Sequence, residues 1–163
     1  GMESNAIELL ELSATHRDWD WNPQWFLGFD YIHFLNDKAK AVEHLRKASE
    51  IDGAPPIFGL LAARIEQGIG QTQNSITMLK AMYAQSDNEE LKAELKKRID
   101  AHTGVYVIEQ SIAGFRAKFG RQPESLDTLV DSGFLTAIPD HPYDGRYVYD
   151  PKTGTVDYSF RPQ

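Results

Sequence analysis

Three eight-residue stretches decide the fold of this chain: AIELLELS at residues 6–13, AVEHLRKA at residues 41–48 and SITMLKAM at residues 75–82. Each places a small residue first, a leucine four positions on and a third residue three further. The sets are Ala6, Leu10 and Ser13, then Ala41, Leu45 and Ala48, then Ser75, Leu79 and Met82, offset by 35 and then 34 residues. Residues spaced this way share one stripe of a helix, and a small residue in that stripe lets a second helix approach closely. A unit that recurs at a constant period of this size is one supersecondary element stacked on its own copies. Each stretch therefore marks the second helix of a pair.

The first helices fall between these stretches. One runs from Pro23 to about Leu35 and is rich in Trp, Phe and Tyr; the other runs from about Pro56 to Gln67 and is rich in Leu, Ile and Ala. Asn36 and Asp37 supply the turn in the first pair and Gly68 to Gly70 the turn in the second. Gly53, Pro55 and Pro56 separate the pairs, because a helix does not run through such a cluster. The expected architecture is mainly α, with antiparallel helix-pair repeats over residues 1–87.

With these residues in view, the segment from about Ala6 to Met82 resembles the tetratricopeptide repeat family, whose unit is about 34 residues. Trp25, Gly28 and Tyr31 stand at its aromatic, small and tyrosine positions, followed by Ala41, Leu45, Ala48 and Pro55 or Pro56. In the next unit Ala63 and Leu79 match, but Glu66 stands where tyrosine is usual. The resemblance implies an α-α superhelix and a protein-binding role.

From Asn88 to Phe119 a stripe of Leu91, Leu95, Ile99, His102, Tyr106, Ile112, Phe115 and Phe119 keeps helical spacing, with Glu94 and Arg98 paired on another face. It predicts one long helix over residues 88–119, with an interruption possible near Thr103 and Gly104, since each internal glycine costs about 1 kcal/mol relative to alanine. The run Lys96, Lys97, Arg98 reads as a solvated face beside Glu89, Glu90 and Glu94. Gly120 ends the helix, and residues 120–163 change to short elements: a brief helix capped by Ser125 and closed by Gly133, then a β-hairpin. The hairpin turns through Asp150, Pro151, Lys152, Thr153 and Gly154. Val156, Tyr158 and Phe160 alternate with Asp157 and Ser159, so one face is apolar and is expected to pack on the long helix.

Phe119, Gly120, Arg121, Pro123, Leu126, Leu129, Val130, Gly133, Phe134, Leu135, Pro139, Pro142, Gly145 and Tyr147 to Tyr149 make the segment from about Phe115 to Tyr149 similar to the C-terminal region of the type II secretion major pseudopilins. The apolar stalk of that family is absent, and a short hairpin stands where its longer acidic calcium loop would follow.

Chemistry-bearing motifs are sparse. Nucleophile elbow, phosphate loop and paired-histidine zinc motif are all missing. Gly68, Ile69 and Gly70 join two helices, whereas a dinucleotide fingerprint follows a strand, so they read as a turn. His16, His33, His44, His102 and His141 have no metal-ligand spacing, and Asp140, Asp144, Asp150 and Asp157 read as turn and surface residues. Neither a metal nor a cofactor is expected, and no catalytic residue is assigned.

The chain has 163 residues, no cysteine and a net charge of -7. It needs no disulfide framework at this length, lacks thiolate chemistry, and repels phosphate overall, which argues against nonspecific nucleic-acid binding. Membrane insertion by this segment is not expected, because no apolar run approaches the ~20 residues that span a bilayer. Gly1 before Met2 reads as a tag remnant. The compartment stays open, and the extracytoplasmic part of a longer membrane-anchored bacterial protein is one of the alternatives.

The expected function is a non-catalytic scaffold for a protein or peptide partner, with a structural or accessory subunit of an envelope secretion or pilus-like assembly as the alternative. By the tetratricopeptide resemblance, first helices line a concave face. That phase turns Asn22, Trp25, Phe29 and His33 toward it, with Arg64 and Gln67 from the next pair and Arg98 and His102 from the long helix.

Overall fold

A computed structural model describes residues 2–160 of the chain, with side chains from residue 5 onward. Among these residues the order of elements is α1 (Met2–His16), α2 (Trp21–His33), α3 (Lys38–Glu50), α4 (Ile57–Gly68), α5 (Thr72–Gln85), α6 (Glu89–Phe119), α7 (Leu126–Asp131), β1 (Arg146–Asp150) and β2 (Thr155–Ser159). The protein is mainly helical with one small antiparallel sheet. It divides into two compact units, Gly1–Leu79 and Lys80–Gln163, so the last turn of α5, all of α6 and residues 120–163 fall in the second.

In the first unit short polar side chains set the starts of α2 and α3. Asp20 accepts from Asn22 N at 3.0 Å and Asp37 from Lys40 N at 3.0 Å, each satisfying a donor that a helix leaves open in its first turn. Asn36, at φ 50, makes the turn between α2 and α3. Packing of α2 on α3 depends on Gly28: a Cβ there would lie 2.9 Å from Leu45 Cγ and 3.4 Å from Ala41 O. Ala41, Leu45 and Ala48 are completely buried, as are Leu27, Ala62, Ala63 and Leu79.

Two polar contacts in this unit join helices at equivalent places in the sequence. Tyr31 donates to Glu11 Oε1 at 3.3 Å, linking α2 to α1. Thirty-five residues further along, Arg46 donates to both oxygens of Glu66, Nε to Oε1 at 2.9 Å and Nη2 to Oε2 at 2.7 Å, linking α3 to α4. Glu66, which departs from the tetratricopeptide pattern in sequence, is thus a buried carboxylate in a two-pronged pair with an arginine, a geometry that satisfies both groups.

The second unit is organised by α6. Asn88 caps it through Leu91 N at 2.9 Å, and Gly120, at φ 68, closes it in the left-handed conformation that glycine adopts without strain. The helix runs through Thr103 and Gly104 without interruption. Gly104 has a packing reason: a Cβ on it would stand 1.8 Å from Tyr147 Oη. Its missing side chain is the seat of the Tyr147 ring, which outweighs the propensity cost. Ser125 caps α7 through Thr128 N at 3.3 Å, and the hairpin pairs Tyr147 with Tyr158 and Tyr149 with Val156. The hairpin's apolar face joins α6: Ala101, Val105, Ile108, Ile112 and Phe115 form one core with Leu129, Leu135, Tyr147, Val156 and Tyr158. The long helix and the hairpin therefore share a single core, as the alternation of Val156 and Tyr158 leads one to expect. A two-stranded hairpin gains through such packing the burial it lacks alone.

Candidate partner-binding surface

Asn22, Trp25, Phe29 and His33 follow one another along α2 at helical spacing, and the structure fills in their surroundings. Asn22 is exposed and is held by Asp20 Oδ1, which accepts from its backbone N and from Nδ2 at 2.7 Å. Trp25 stacks on Phe58 of α4, with ring centroids 4.8 Å apart and planes at 19°. Phe29 stands 6.2 Å from Trp25, 4.2 Å from His33 and 6.4 Å from Phe34. Trp21 leans on the other side of Phe58 at 5.1 Å. Tilted and edge-on ring pairs at these distances hold side chains in fixed orientations.

Burial grades along this row. Phe58 is buried, Trp25 half-buried, Phe29 38% exposed and Phe34 67% exposed. The inner rings are a platform and the outer rings, with exposed His33, are open apolar surface. Phe58 was not singled out in the sequence: it stands two residues after Pro56, and its place beneath Trp25 depends on how α4 meets α2.

The remaining expected residues are engaged elsewhere. Arg64 donates to Gln67 Oε1 along α4, and Gln67 is only 1% exposed. Arg98 and His102 lie in the second unit. Arg98 Nε donates to Glu94 Oε1 at 2.7 Å, and that carboxylate also accepts from Tyr143 Oη at 3.0 Å. His102 is 1% exposed, its Nε2 2.9 Å from Tyr158 Oη. Both Gln67 and His102 are buried, His102 beneath Tyr158 of the hairpin.

In the second unit tyrosines carry the electrostatic strain. Burial first, then the nearby Asp100 charge, pushes the Tyr147 phenol up to about 12. Tyr143 is pushed higher, by burial and by its bond to the Glu94 carboxylate. Among the described residues no three histidine, aspartate or glutamate side chains are grouped to hold a metal ion.

A groove of about 400 Å³ also opens among α1, α2 and α3. His44 Nδ1 lies 2.8 Å from Gln24 Oε1 there, and its ring stacks on Tyr31 at 5.3 Å. Burial, with a smaller contribution from Lys47, lowers the His44 pKa against the opposing pull of Glu43 and Glu11. A histidine held neutral by the fold contributes stability above its ordinary value near 6.5, and that contribution is lost as pH falls through the lowered value. His44→Gln should therefore reduce the drop in thermal midpoint between pH 7.5 and 5, a window set by the ordinary histidine value. Equal acid sensitivity of variant and parent would contradict this role.

Comparison of the chain with protein-family models, with curated proteins and with solved structures returns no match.

Proposed function

We propose that this chain is a non-catalytic protein-interaction scaffold whose first unit is built of helix pairs of the tetratricopeptide kind. Its binding surface is the aromatic row of α2. The repeat is supported by the recurrence of one contact in two places, Glu11 with Tyr31 and Arg46 with Glu66, at the sequence period. The function rests on one observation: Phe29, His33 and Phe34 stand open beside a braced Trp25 and Phe58 platform. Rigid aromatic side chains bury large area at low entropic cost and anchor peptide segments well. Affinity here comes from apolar burial against this row, with Arg64 and Arg98 already committed to Gln67 and Glu94. A non-catalytic reading agrees with the titratable groups, which serve structural partners: Glu66 holds Arg46, Glu94 holds Arg98 and Tyr143, and His102 meets Tyr158.

The experiment is a selection of displayed random peptides on the immobilised chain, repeated with Phe29→Asp. Peptides rich in apolar residues should be enriched by the parent chain and bind the variant at least tenfold more weakly, about 1.4 kcal/mol. Equal retention by both would remove the row as the site.

A second reading, a structural or accessory subunit of an envelope secretion or pilus-like assembly, draws on the second unit. There the 31-residue α6 runs into a small lobe that packs back on its own C-terminal half, the layout that the pseudopilin resemblance implies.

A further inference from the structure

The C-terminal end of α6 concentrates charge of the sign opposite to that of the chain. Arg116, Lys118 and Arg121 fall within six residues that hold no acid, in a chain of net charge -7. All three are exposed, and so is Phe119 among them, 47% open to solvent. Two further rings stand beside Phe119, Phe115 at 4.6 Å and Phe134 at 6.1 Å, themselves 5.6 Å apart with planes at 67°. Phe115 is buried, and Phe134 rests on Gly114, where a Cβ would lie 3.2 Å from its ring. These rings place the cations. Lys118 Nζ is 5.3 Å from the centre of Phe119 and 5.7 Å from that of Phe134, and the Arg121 guanidinium is 5.5 Å from that of Phe115. A ring face orients a cation without cancelling its charge. Arg121 meets Glu124 at 3.6 Å in an exposed pair that water weakens. Among the described residues neither Arg116 nor Lys118 has a carboxylate partner. The helix dipole favours cations in the last turn, which accounts for Arg116 and Lys118 but neither for an open Phe119 between them and Arg121 nor for Arg121, which lies beyond the helix.

We infer that this end of α6 binds an acidic segment of a partner protein, with an apolar side chain of the segment set on Phe119 and its carboxylates meeting Arg116, Lys118 and Arg121. Charge complementarity selects the occupant: an apolar anchor ringed by cations fits an apolar residue ringed by acids. Covering Phe119 also excludes water from the ion pairs around it and so strengthens them. An anionic membrane fits less well. Such surfaces are met by clusters of roughly four to eight basic residues, and here three cations are followed by Glu124, Asp127 and Asp131, which a broad anionic plane would meet as well. Nucleic acid is opposed by the net charge of the whole chain. The inference goes beyond the proposed function, since it uses the second unit alone and no residue of the α2 row.

The test uses two labelled synthetic peptides, one a phenylalanine flanked on both sides by glutamates and one the same phenylalanine flanked by lysines, titrated by fluorescence anisotropy against the full chain. The glutamate peptide should bind saturably and at least about tenfold tighter than the lysine peptide, and Lys118→Glu should weaken it at least about tenfold. Phe119→Ser should weaken it as well, because the apolar anchor is lost. Arg121→Gln serves as a further variant, and circular dichroism of all three should keep the parent helicity, since the substituted side chains are exposed. No saturable binding, equal binding of the two peptides, or binding untouched by Lys118→Glu and Arg121→Gln would overturn the inference. So would co-sedimentation with phosphatidylserine vesicles that Lys118→Glu abolishes while the glutamate peptide does not bind, because the occupant would then be a membrane. A concentration-dependent dimer that Lys118→Glu dissolves would overturn it too, in favour of a second copy. Glutamate-peptide binding that survives Phe29→Asp and fails with Lys118→Glu supports it independently of the aromatic row.

Discussion

Arg46→Ala should destabilise the first unit by about 3 kcal/mol, the lower end of the cost of leaving one member of a buried pair uncompensated. Glu66 is 3% exposed by side chain and receives both prongs of the guanidinium, whereas Arg46 keeps 33% of its side chain in solvent. Solvent already meets part of the arginine's charge, so the cost comes from the stranded carboxylate. The double variant Arg46→Leu with Glu66→Leu removes both charges and should recover most of the loss, since apolar residues of similar volume often replace such a pair without penalty. Denaturant unfolding followed by circular dichroism reads both. If Arg46→Ala costs less than about 1 kcal/mol, the pair behaves as a surface ion pair and does not join α3 to α4.

Gly104→Ala should destabilise the second unit although alanine is the better helix former. On propensity the change gains about 1 kcal/mol, but the new methyl would stand 1.8 Å from Tyr147 Oη and 2.4 Å from Cζ. The tyrosine must leave a core shared with Val105, Ile108 and Tyr158, and forced overpacking costs about 1–3 kcal/mol. Gly68→Ala is the control, because a Cβ there meets nothing within 4 Å. It should be neutral or stabilising at the end of α4. A Gly104→Ala protein as stable as the parent would mean that Tyr147 does not sit on α6.

The sequence was most legible where short-range chemistry rules. Ser125 announces α7 because a side-chain oxygen three residues before a free backbone N–H needs nothing else. Val156 and Tyr158 announce the inner face of the hairpin by alternation alone, and both are buried. Contacts between distant elements were not legible. Gly104 reads as a weak point in a helix until Tyr147 occupies it. His102 keeps step with both the apolar stripe and the expected concave face, and only the fold of residues 120–163 decides that it meets Tyr158. Glu66 reads as a departure from the repeat until Arg46 is found beside it. Within the candidate surface, the α2 residues rest on the phase that the tetratricopeptide resemblance implies, while Phe58 needed the packing of α4 before it became the support of Trp25.

The central claim is that partners are held on the aromatic row of α2, and mapping a selected peptide onto the chain by backbone amide chemical shifts tests it most directly. The account predicts that the largest shifts cluster at Trp25, Phe29, His33 and Phe34, with Phe58 responding through its stack on Trp25. Shifts centred on residues of the second unit, or scattered with no cluster on α2, would contradict it.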